Sequence, residues 1–170
     1  MTASVLVGGA LFVLLMVTLV TFAYAGLRAA PWVPTRTGDV ERFVRMARLR
    51  PGERFYDIGC GDGRLVSAAA HAGADAVGFE CSLLPYALSW LRPGARGRVR
   101  YRDFWHQPLH DADVIYCWLM PGVYPKLKAK FERECRPGTR IVLYVWPMEG
   151  WAPHEVDIAE GSPKLYAYTL

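Results

Sequence analysis

The sequence predicts an α/β domain, a Rossmann-like sheet of mostly parallel strands with helices on both faces, preceded by one N-terminal transmembrane helix. Three observations support this prediction. The first 27 residues contain no Asp, Glu, Lys or Arg, apolar runs then alternate with helical patterns, and a glycine-rich turn follows the first of these runs. Strands that alternate with helices favour an open parallel sheet, because each helix returns the chain to the same sheet.

The apolar N-terminal segment is long enough to cross a bilayer. Val5 to Leu27 exceeds the roughly 20 apolar residues that a membrane-spanning helix needs. No basic residue precedes this run, and it is too long for a signal peptide, so we expect an uncleaved anchor. A buried helix of a soluble protein is the remaining alternative. We assign residues 1–28 to the anchor, 29–36 to a proline-rich connector and 37–170 to one domain.

Positive charge is concentrated just after the anchor. Between Arg28 and Arg54 there are seven arginines against three acidic residues, and this surplus of four equals the net charge of the whole chain, +4. The positive-inside rule therefore predicts a single-pass membrane protein whose following domain is cytoplasmic. A basic flank beside an anchor is typical of contact with an anionic lipid bilayer rather than with nucleic acid.

The cysteines and histidines do not predict a metal site. The four cysteines and four histidines are scattered, without a CxxC pair or a zinc-like spacing. We therefore expect free thiols in a reducing compartment and no bound metal.

After the connector, an amphipathic helix capped by Thr37 is followed by alternating strands and helices and a closing hairpin. Five parallel strands and a hairpin make a sheet of seven strands. The predicted strands are 54–59, 76–80, 99–104, 113–119 and 140–146, the helices 64–72, 85–91 and 125–134, and the hairpin strands 156–159 and 165–169.

The turn after the first strand, DIGCGDGR from Asp57 to Arg64, indicates where a ligand binds. In an open α/β sheet ligands bind beyond the carboxyl ends of the strands, and glycine lets the backbone approach them closely. A dinucleotide fingerprint requires a small residue where this chain has Arg64, and no GK[ST] of a P-loop follows. A nicotinamide cofactor and a nucleoside triphosphate are therefore both disfavoured.

The pattern DxGxGxG resembles motif I of S-adenosylmethionine-dependent methyltransferases. The amino-acid end of that cofactor needs a carboxylate near its ammonium, which Asp57 supplies, and bare backbone near its carboxylate. Glu80 ends the second strand, where it would accept hydrogen bonds from ribose hydroxyls, and Asp103 with Phe104 would hold the adenine. The predicted cofactor residues are Asp57, Gly59, Cys60, Gly61, Gly63, Glu80, Cys81, Asp103 and Phe104.

A closer resemblance rests on the apolar helix, the connector APWVPT, the glycine turn, a DFW and a final PMEGW. Together these features resemble the membrane-anchored protein-lysine methyltransferases, which include the lysine methyltransferases of the ATP synthase c-ring protein and of the adenine nucleotide translocase. The resemblance implies a class I methyltransferase fold, S-adenosylmethionine as donor, and lysines of membrane proteins as acceptors. It also implies that Thr35 lies over the methionine end of the cofactor.

The acceptor site is the least determined part of the prediction. Methyl transfer needs in-line alignment and a free lone pair on the acceptor, and the sequence shows no dedicated base. Aromatic and apolar side chains near the ends of the fourth and fifth strands would form a slot that stabilises an ammonium by cation–π contact. The candidates are Tyr116, Trp118, Met120, Pro121, Tyr124 and Trp146.

Two alternatives stay open at this point. One is a methyltransferase for a small lipophilic acceptor, such as a quinone or a lipid. The other is a non-catalytic, cofactor-binding scaffold on the membrane.

Overall fold

The computed structural model describes residues 3–170, which form one seven-stranded sheet covered by helices on both faces. The strands are β1 (Arg54–Ile58), β2 (Asp75–Glu80), β3 (Val99–Tyr101), β4 (Val114–Cys117), β5 (Arg140–Tyr144), β6 (Glu155–Asp157) and β7 (Leu165–Thr169). The helices are α1 (Ala3–Arg28), α2 (Thr37–Ala47), α3 (Arg64–His71), α4 (Leu83–Ser89) and α5 (Tyr124–Glu134).

The strand order is β3-β2-β1-β4-β5-β7-β6. The strands β1 to β5 are parallel to one another, and β7 is antiparallel to both β5 and β6. The predicted fold class is confirmed, with the hairpin strands closing one side of the sheet.

Several predicted element ends differ from the structure. The strand β3 stops at Tyr101, and a single 3₁₀ turn, Phe104–His106, follows where the prediction extended the strand. The helix α2 does begin at Thr37, but Arg36 holds the cap position and makes no side-chain cap bond, so the predicted cap by Thr37 is wrong. Apolar character alone does not mark where a strand stops pairing.

The central strands are buried on both faces, as expected for parallel strands between two layers of helices. On one face Phe55 packs with Phe43 of α2 and Leu65 of α3. On the other face Ile58 belongs to the same apolar cluster as Leu127 of α5. The sheet is therefore the middle of three layers.

The helix α2 is joined to the closing hairpin by a buried arginine. The side chain of Arg42 lies 2.7 Å from Asp39 and 2.5 Å from Asp157, and it also donates to the carbonyl of Pro163. Asp39 accepts a further hydrogen bond from the hydroxyl of Tyr144, at 2.5 Å. Because these polar groups satisfy one another, they are tolerated in the interior.

The helix α1 is long and apolar enough to cross a membrane by length and composition. Residues 3–17 are all exposed, whereas the end of the helix packs on the domain. The hydroxyl of Thr21 accepts a hydrogen bond from the backbone N–H of Leu83 at 3.1 Å, and Ala25 is buried. Tyr24 donates to Asp103 at 2.8 Å. The last two turns of α1 are thus part of the packed domain.

The two ends of the parallel strands contact different segments of the chain. At the carboxyl ends of the parallel strands, the backbone N–H of Met120 donates to the carbonyl of Ala29, just after α1. At the amino-terminal ends of these strands, Arg140 at the start of β5 donates to the carbonyls of Ala47 and Arg48. The carboxyl-terminal end of α2 therefore lies on the far side of the sheet from the end of α1.

Candidate active site

The glycine turn connects β1 to α3 and is hydrogen-bonded to β2. Gly59, Gly61 and Gly63 all have positive φ angles, of 82°, 55° and 73°. The backbone N–H groups of Gly59 and Cys60 both donate to the carbonyl of Phe79, at 3.0 Å. Residues with a side chain rarely adopt these backbone angles. The alternating glycines are therefore what allows the turn.

The connector lies directly over this turn. A Cβ atom built on Gly61 would come within 2.5 Å of the Trp32 indole nitrogen. Trp32 also approaches Phe22 of α1, with ring centroids 6.3 Å apart. The guanidinium of Arg64 donates to the carbonyl of Thr35, so the connector is held at both ends.

Two buried polar atoms face the space beneath the connector. Asp57 and Tyr116 are aligned in neighbouring strands, so their side chains project from the same face of the sheet. Asp57 Oδ2 and the Tyr116 hydroxyl are buried, and neither makes a well-formed hydrogen bond with residues 3–170, although Thr35 lies beside the tyrosine. Buried polar atoms in proteins are nearly always partnered, so an unpartnered pair at one place indicates a ligand site.

Asp57 has a strongly perturbed ionisation. Burial raises its pKa well above the ordinary value, and the neighbouring charges of Glu80 and Asp62 raise it further. A cationic ligand would oppose this shift, because an opposite charge favours the ionised carboxylate. The site therefore favours a ligand that carries positive charge.

Glu80 is positioned by backbone donors at the end of β2. Its Oε2 accepts from the N–H of Gly61 at 2.8 Å, and its Oε1 accepts from Cys81 at 2.8 Å and Ser82 at 2.6 Å. Burial raises the pKa of Glu80, and these hydrogen bonds oppose the shift. A carboxylate offers about four acceptor positions, so one remains available to a hydroxyl donor.

Asp62, in the same turn, behaves in the opposite way to Asp57. Its carboxylate lies 2.8 Å from Arg64 and 2.6 Å from Arg92. Burial alone would raise the pKa of Asp62, but these two arginines outweigh it, and the pKa is lowered. Asp62 is therefore held ionised by the protein itself.

Asp103 is directed at α1. Its Oδ2 accepts from Tyr24 and lies 3.2 Å from the Arg28 guanidinium, and its Oδ1 accepts from the N–H of Trp105 at 3.0 Å. Burial would raise its pKa, but these bonds outweigh burial and lower it. The carboxylate predicted to bind adenine thus holds the end of the apolar helix.

These groups surround one cavity of about 130 Å³, between the connector and the carboxyl ends of β1, β2 and β4. Most of the predicted cofactor residues line this cavity, whereas Gly63 and Asp103 do not. Those that line it are Thr35, Asp57, Gly59, Cys60, Gly61, Glu80, Cys81 and Phe104.

The predicted acceptor residues divide between the cavity and other places. Tyr116, Trp118 and Met120 line the cavity, and Trp118 packs edge-on against Tyr144, with ring centroids 4.7 Å apart. The structure places Pro121, Tyr124 and Trp146 outside its lining.

Local backbone geometry explains two of these three positions. Tyr124 begins α5 and is buried in the cluster on the other face of the sheet. Trp146 is 42% exposed, because β5 ends at Tyr144 and the chain turns at Val145, which has a φ of 76°. Strand pattern alone gave no sign of that turn.

Several lining residues were not predicted. Trp32 and Arg64 line the cavity, as do Ala25, Ala29 and Ala30 from the end of α1 and the residues after it. Gly78 supports the turn from behind, since a Cβ there would meet Cys60 Sγ at 2.5 Å. An aromatic residue in a proline-stiffened connector is a signal that could have identified Trp32.

The residues present fit S-adenosylmethionine. Asp57 provides an unpartnered buried carboxylate oxygen for an ammonium group, and Glu80 keeps an acceptor position for a ribose hydroxyl. The turn at Gly61 exposes backbone beside them. Within residues 3–170 no three His, Cys, Asp or Glu side chains form a candidate metal site.

The strand order, the glycine turn and the acid-lined cavity above it define a class I S-adenosylmethionine-dependent methyltransferase, and S-adenosylmethionine is its cofactor. More particularly, the chain belongs to the family described as the ANTKMT methyltransferase domain, which matches residues 57–155. The predicted family, enzyme class and cofactor are confirmed.

Individual relatives support this assignment. The adenine nucleotide translocase lysine N-methyltransferase of Mus musculus is 33% identical, over 82% of this chain and 63% of the relative. The protein-lysine N-methyltransferase of Saccharolobus islandicus is 35% identical, over 82% of this chain and 93% of the relative. Among solved structures, an RNA methyltransferase from Salinibacter ruber in complex with S-adenosyl-L-homocysteine has a TM-score of 0.75. It is 31% identical, over 81% of this chain and 93% of that one.

Proposed function

We propose that this chain is a protein-lysine N-methyltransferase that is anchored in a membrane by α1 and acts on lysines of membrane proteins. One observation carries the proposal: the end of the apolar helix and the residues after it form part of the cofactor cavity, through Ala25, Ala29 and Ala30. An anchor that lines the cavity would hold the reacting centre close to the bilayer surface.

The relatives support lysine as the acceptor. The mouse and Saccharolobus relatives are both named for lysine N-methylation, and the mouse protein is named for the adenine nucleotide translocase. Under this proposal, residues 1–28 are the anchor, 29–36 the connector and 37–170 the catalytic domain. The positive-inside rule favours a cytoplasmic domain, because seven arginines against three acidic residues follow the apolar run between Arg28 and Arg54.

We assign cofactor binding to the predicted residues that line the cavity. The cofactor supplies a methyl group on a positively charged sulfonium. Asp57 would bind its ammonium, Glu80 a ribose hydroxyl and Phe104 the adenine ring. Asp103 would contribute by holding α1 and the following 3₁₀ turn in place.

The chain's own groups also define what happens to the acceptor amine. The amine must lose a proton to solvent before it can attack, and the apolar acceptor side of the cavity, next to the positive sulfonium, favours the neutral form. Burial raises the pKa of Tyr116 well above its ordinary value, so its hydroxyl stays neutral and is available to position the amine. Trp118 and Met120 would exclude water on the acceptor side.

The experiment is comparative methyl-proteomics on membranes from cells with the wild-type chain, with no chain, and with Asp57→Asn. We expect lysine methylation that is present only with the wild type. Asp75→Asn is the matched control, because Asp75 is half exposed at the start of β2, outside the cavity, and should retain methylation.

Other results would reject the proposal in distinguishable ways. Loss of methyl groups from a lipid or quinone extract, with lysine methylation unchanged, would identify a small lipophilic acceptor. Binding of S-adenosyl-L-homocysteine by the pure protein, with no transfer to any membrane fraction, would identify a scaffold.

A further inference from the structure

A surface segment beside α1 combines apolar and basic side chains without any acidic residue. Its 22 residues, Cys81 to Arg102, contain five arginines and no aspartate or glutamate. This acid-free segment comprises α4, the loop after it and β3. Its exposed large apolar side chains are Leu84 (43%), Trp90 (45%), Leu91 (79%) and Tyr101 (39%).

The aromatic side chains of the segment form one group. The ring of Tyr86 packs against Trp90, with centroids 6.5 Å apart, and against Tyr101, with centroids 5.3 Å apart. Tryptophan and tyrosine have an apolar ring with a polar end, and they are enriched at membrane–water interfaces for that reason. An exposed group of this kind is typical of a surface that meets the interfacial layer.

Three of the five arginines remain available for an external anion. The side chains of Arg96 and Arg100 are exposed and make no hydrogen bond or ion pair with residues 3–170. Arg102 donates to the neighbouring carbonyl of Tyr101 and pairs with no carboxylate of the described chain. The segment therefore presents uncompensated positive charge, which complements anionic lipid headgroups.

The packing of α1 against α4 places the segment near the level of the bilayer surface. Thr21 of α1 contacts Leu83 at the start of α4, at 3.1 Å. The 18 helical residues before Thr21 span about 27 Å at the helical rise, close to the roughly 30 Å of a hydrocarbon core. If α1 is the anchor, the bilayer surface lies near Thr21 and hence beside α4.

We propose that the acid-free segment is a second membrane contact, which lies in the headgroup layer of an anionic bilayer next to α1. This inference rests on the proposed function, because it takes α1 as the anchor. Arg48 and Arg54, which follow the anchor closely in sequence, are less suited to this role, since they lie at the amino-terminal ends of the parallel strands, away from α4.

A single anchor limits only the distance of the domain from the bilayer. A second contact would also fix the orientation of the domain relative to the bilayer. Cys81 and Ser82 at the start of the segment and Arg102 at its end line the cofactor cavity. A bilayer that contacts the segment would therefore fix the cavity near headgroup level, and acceptor lysines would be those close to the membrane surface.

The test uses the full chain reconstituted into vesicles of phosphatidylcholine and phosphatidylglycerol, in which some acyl chains are brominated to quench tryptophan. We expect Trp90→Phe to remove part of the quenched emission. Trp151→Phe should not, because Trp151 packs against Phe131 of α5 and Tyr168 of β7, outside the segment. Leu91→Ser should weaken the quenching of Trp90, whereas Ile158→Ser, which changes an equally exposed residue near the hairpin, should leave it unchanged.

The charge contribution is tested by a double variant. Arg96→Gln with Arg100→Gln should lower the quenching of Trp90 in anionic vesicles to the value found in pure phosphatidylcholine vesicles. Arg45→Gln with Arg50→Gln removes the same charge from exposed positions on α2 and the following loop, and should have no effect. Equal effects of the two double variants would overturn the proposal, because they would indicate a response to net charge alone.

The remaining outcomes separate this inference from the proposed anchor. A chain that fails to float with vesicles overturns both. A chain that floats, with Trp90 unquenched, overturns the second contact alone and leaves the anchor in place. Loss of a dimer in Leu91→Ser, or binding of a labelled RNA oligonucleotide that the Arg96 and Arg100 variant abolishes, would assign the segment to a second copy or to RNA instead.

Discussion

Replacing Asp57 with asparagine should weaken ligand binding and stabilise the ligand-free fold at the same time. The carboxylate is buried, its Oδ2 has no partner among the described residues, and two neighbouring acids act on it. Asparagine keeps a polar side chain at this position but removes the buried negative charge, whose uncompensated burial costs at least about 1–3 kcal/mol. In a chain of this size that corresponds to a melting temperature roughly 2–12 °C higher. Loss of a charged hydrogen bond to the ligand, worth about 1.5–3 kcal/mol, should lower affinity about 10- to 150-fold.

The assay is calorimetric titration of the detergent-solubilised full chain with S-adenosyl-L-homocysteine, together with thermal unfolding without ligand. Asp62→Asn is the comparison, because Asp62 is held ionised by Arg64 and Arg92 and its replacement should lower the melting temperature. An Asp57→Asn protein that melts below the wild type and binds the ligand with unchanged affinity would refute the reasoning.

The raised pKa of Asp57 also predicts how the stability of the fold depends on pH, and it determines the sign of that dependence. The folded, ligand-free chain holds this proton more tightly than the unfolded chain. The contribution of Asp57 to stability is therefore present below the unfolded pKa of about 4 and is lost as the pH rises through the folded pKa. Denaturant unfolding across this range should show that loss in the wild type, and Asp57→Asn should remove it.

Two further substitutions test other parts of the structure. Gly61→Ala should lower the free energy of unfolding by about 1–2 kcal/mol, because the residue has a left-handed backbone conformation, and it should also displace Trp32. Gly97 has a φ of 76° but open space around it, so Gly97→Ala should show the backbone effect alone. Calorimetry should therefore show weaker binding of S-adenosyl-L-homocysteine only for the first, and equal affinities would contradict the position of the indole. Asp39→Ala leaves Arg42 with Asp157 as its remaining carboxylate partner and the buried Tyr144 hydroxyl without an acceptor. Denaturant unfolding should show a loss of about 1–3 kcal/mol. No measurable loss would mean that these groups are not effectively buried.

The sequence predicted those features that depend on local pattern. The turn from Asp57 to Arg64 is contiguous, so its alternating glycines indicate positive φ angles and a ligand without reference to the rest of the chain. Glu80 could be placed for a similar reason, because parallel strands end at the same edge of the sheet. The central strands were identified because their burial on both faces makes them continuously apolar.

Features that depend on pairs distant in sequence were not predictable. The acid at Asp103 was expected to face the ligand, but its partners Tyr24 and Arg28 lie 79 and 75 positions away, inside an apolar helix that was treated as a separate anchor. The role of Gly78 depends on its alignment with the glycine turn. For Trp146, the deciding factor was a backbone turn at Val145, a β-branched residue for which such a turn is unusual.

The docking of α1 has a practical consequence for anyone who prepares this enzyme without detergent. A cut after Arg28, where α1 ends, would also remove the groups that satisfy Asp103, the indole N–H of Trp105 and the N–H of Leu83. The fragment would then lack a wall of its active site. Removing the helix only through Val20 would eliminate most of its exposed apolar surface and keep the residues that line the cavity. That truncation is the better starting point for a soluble version.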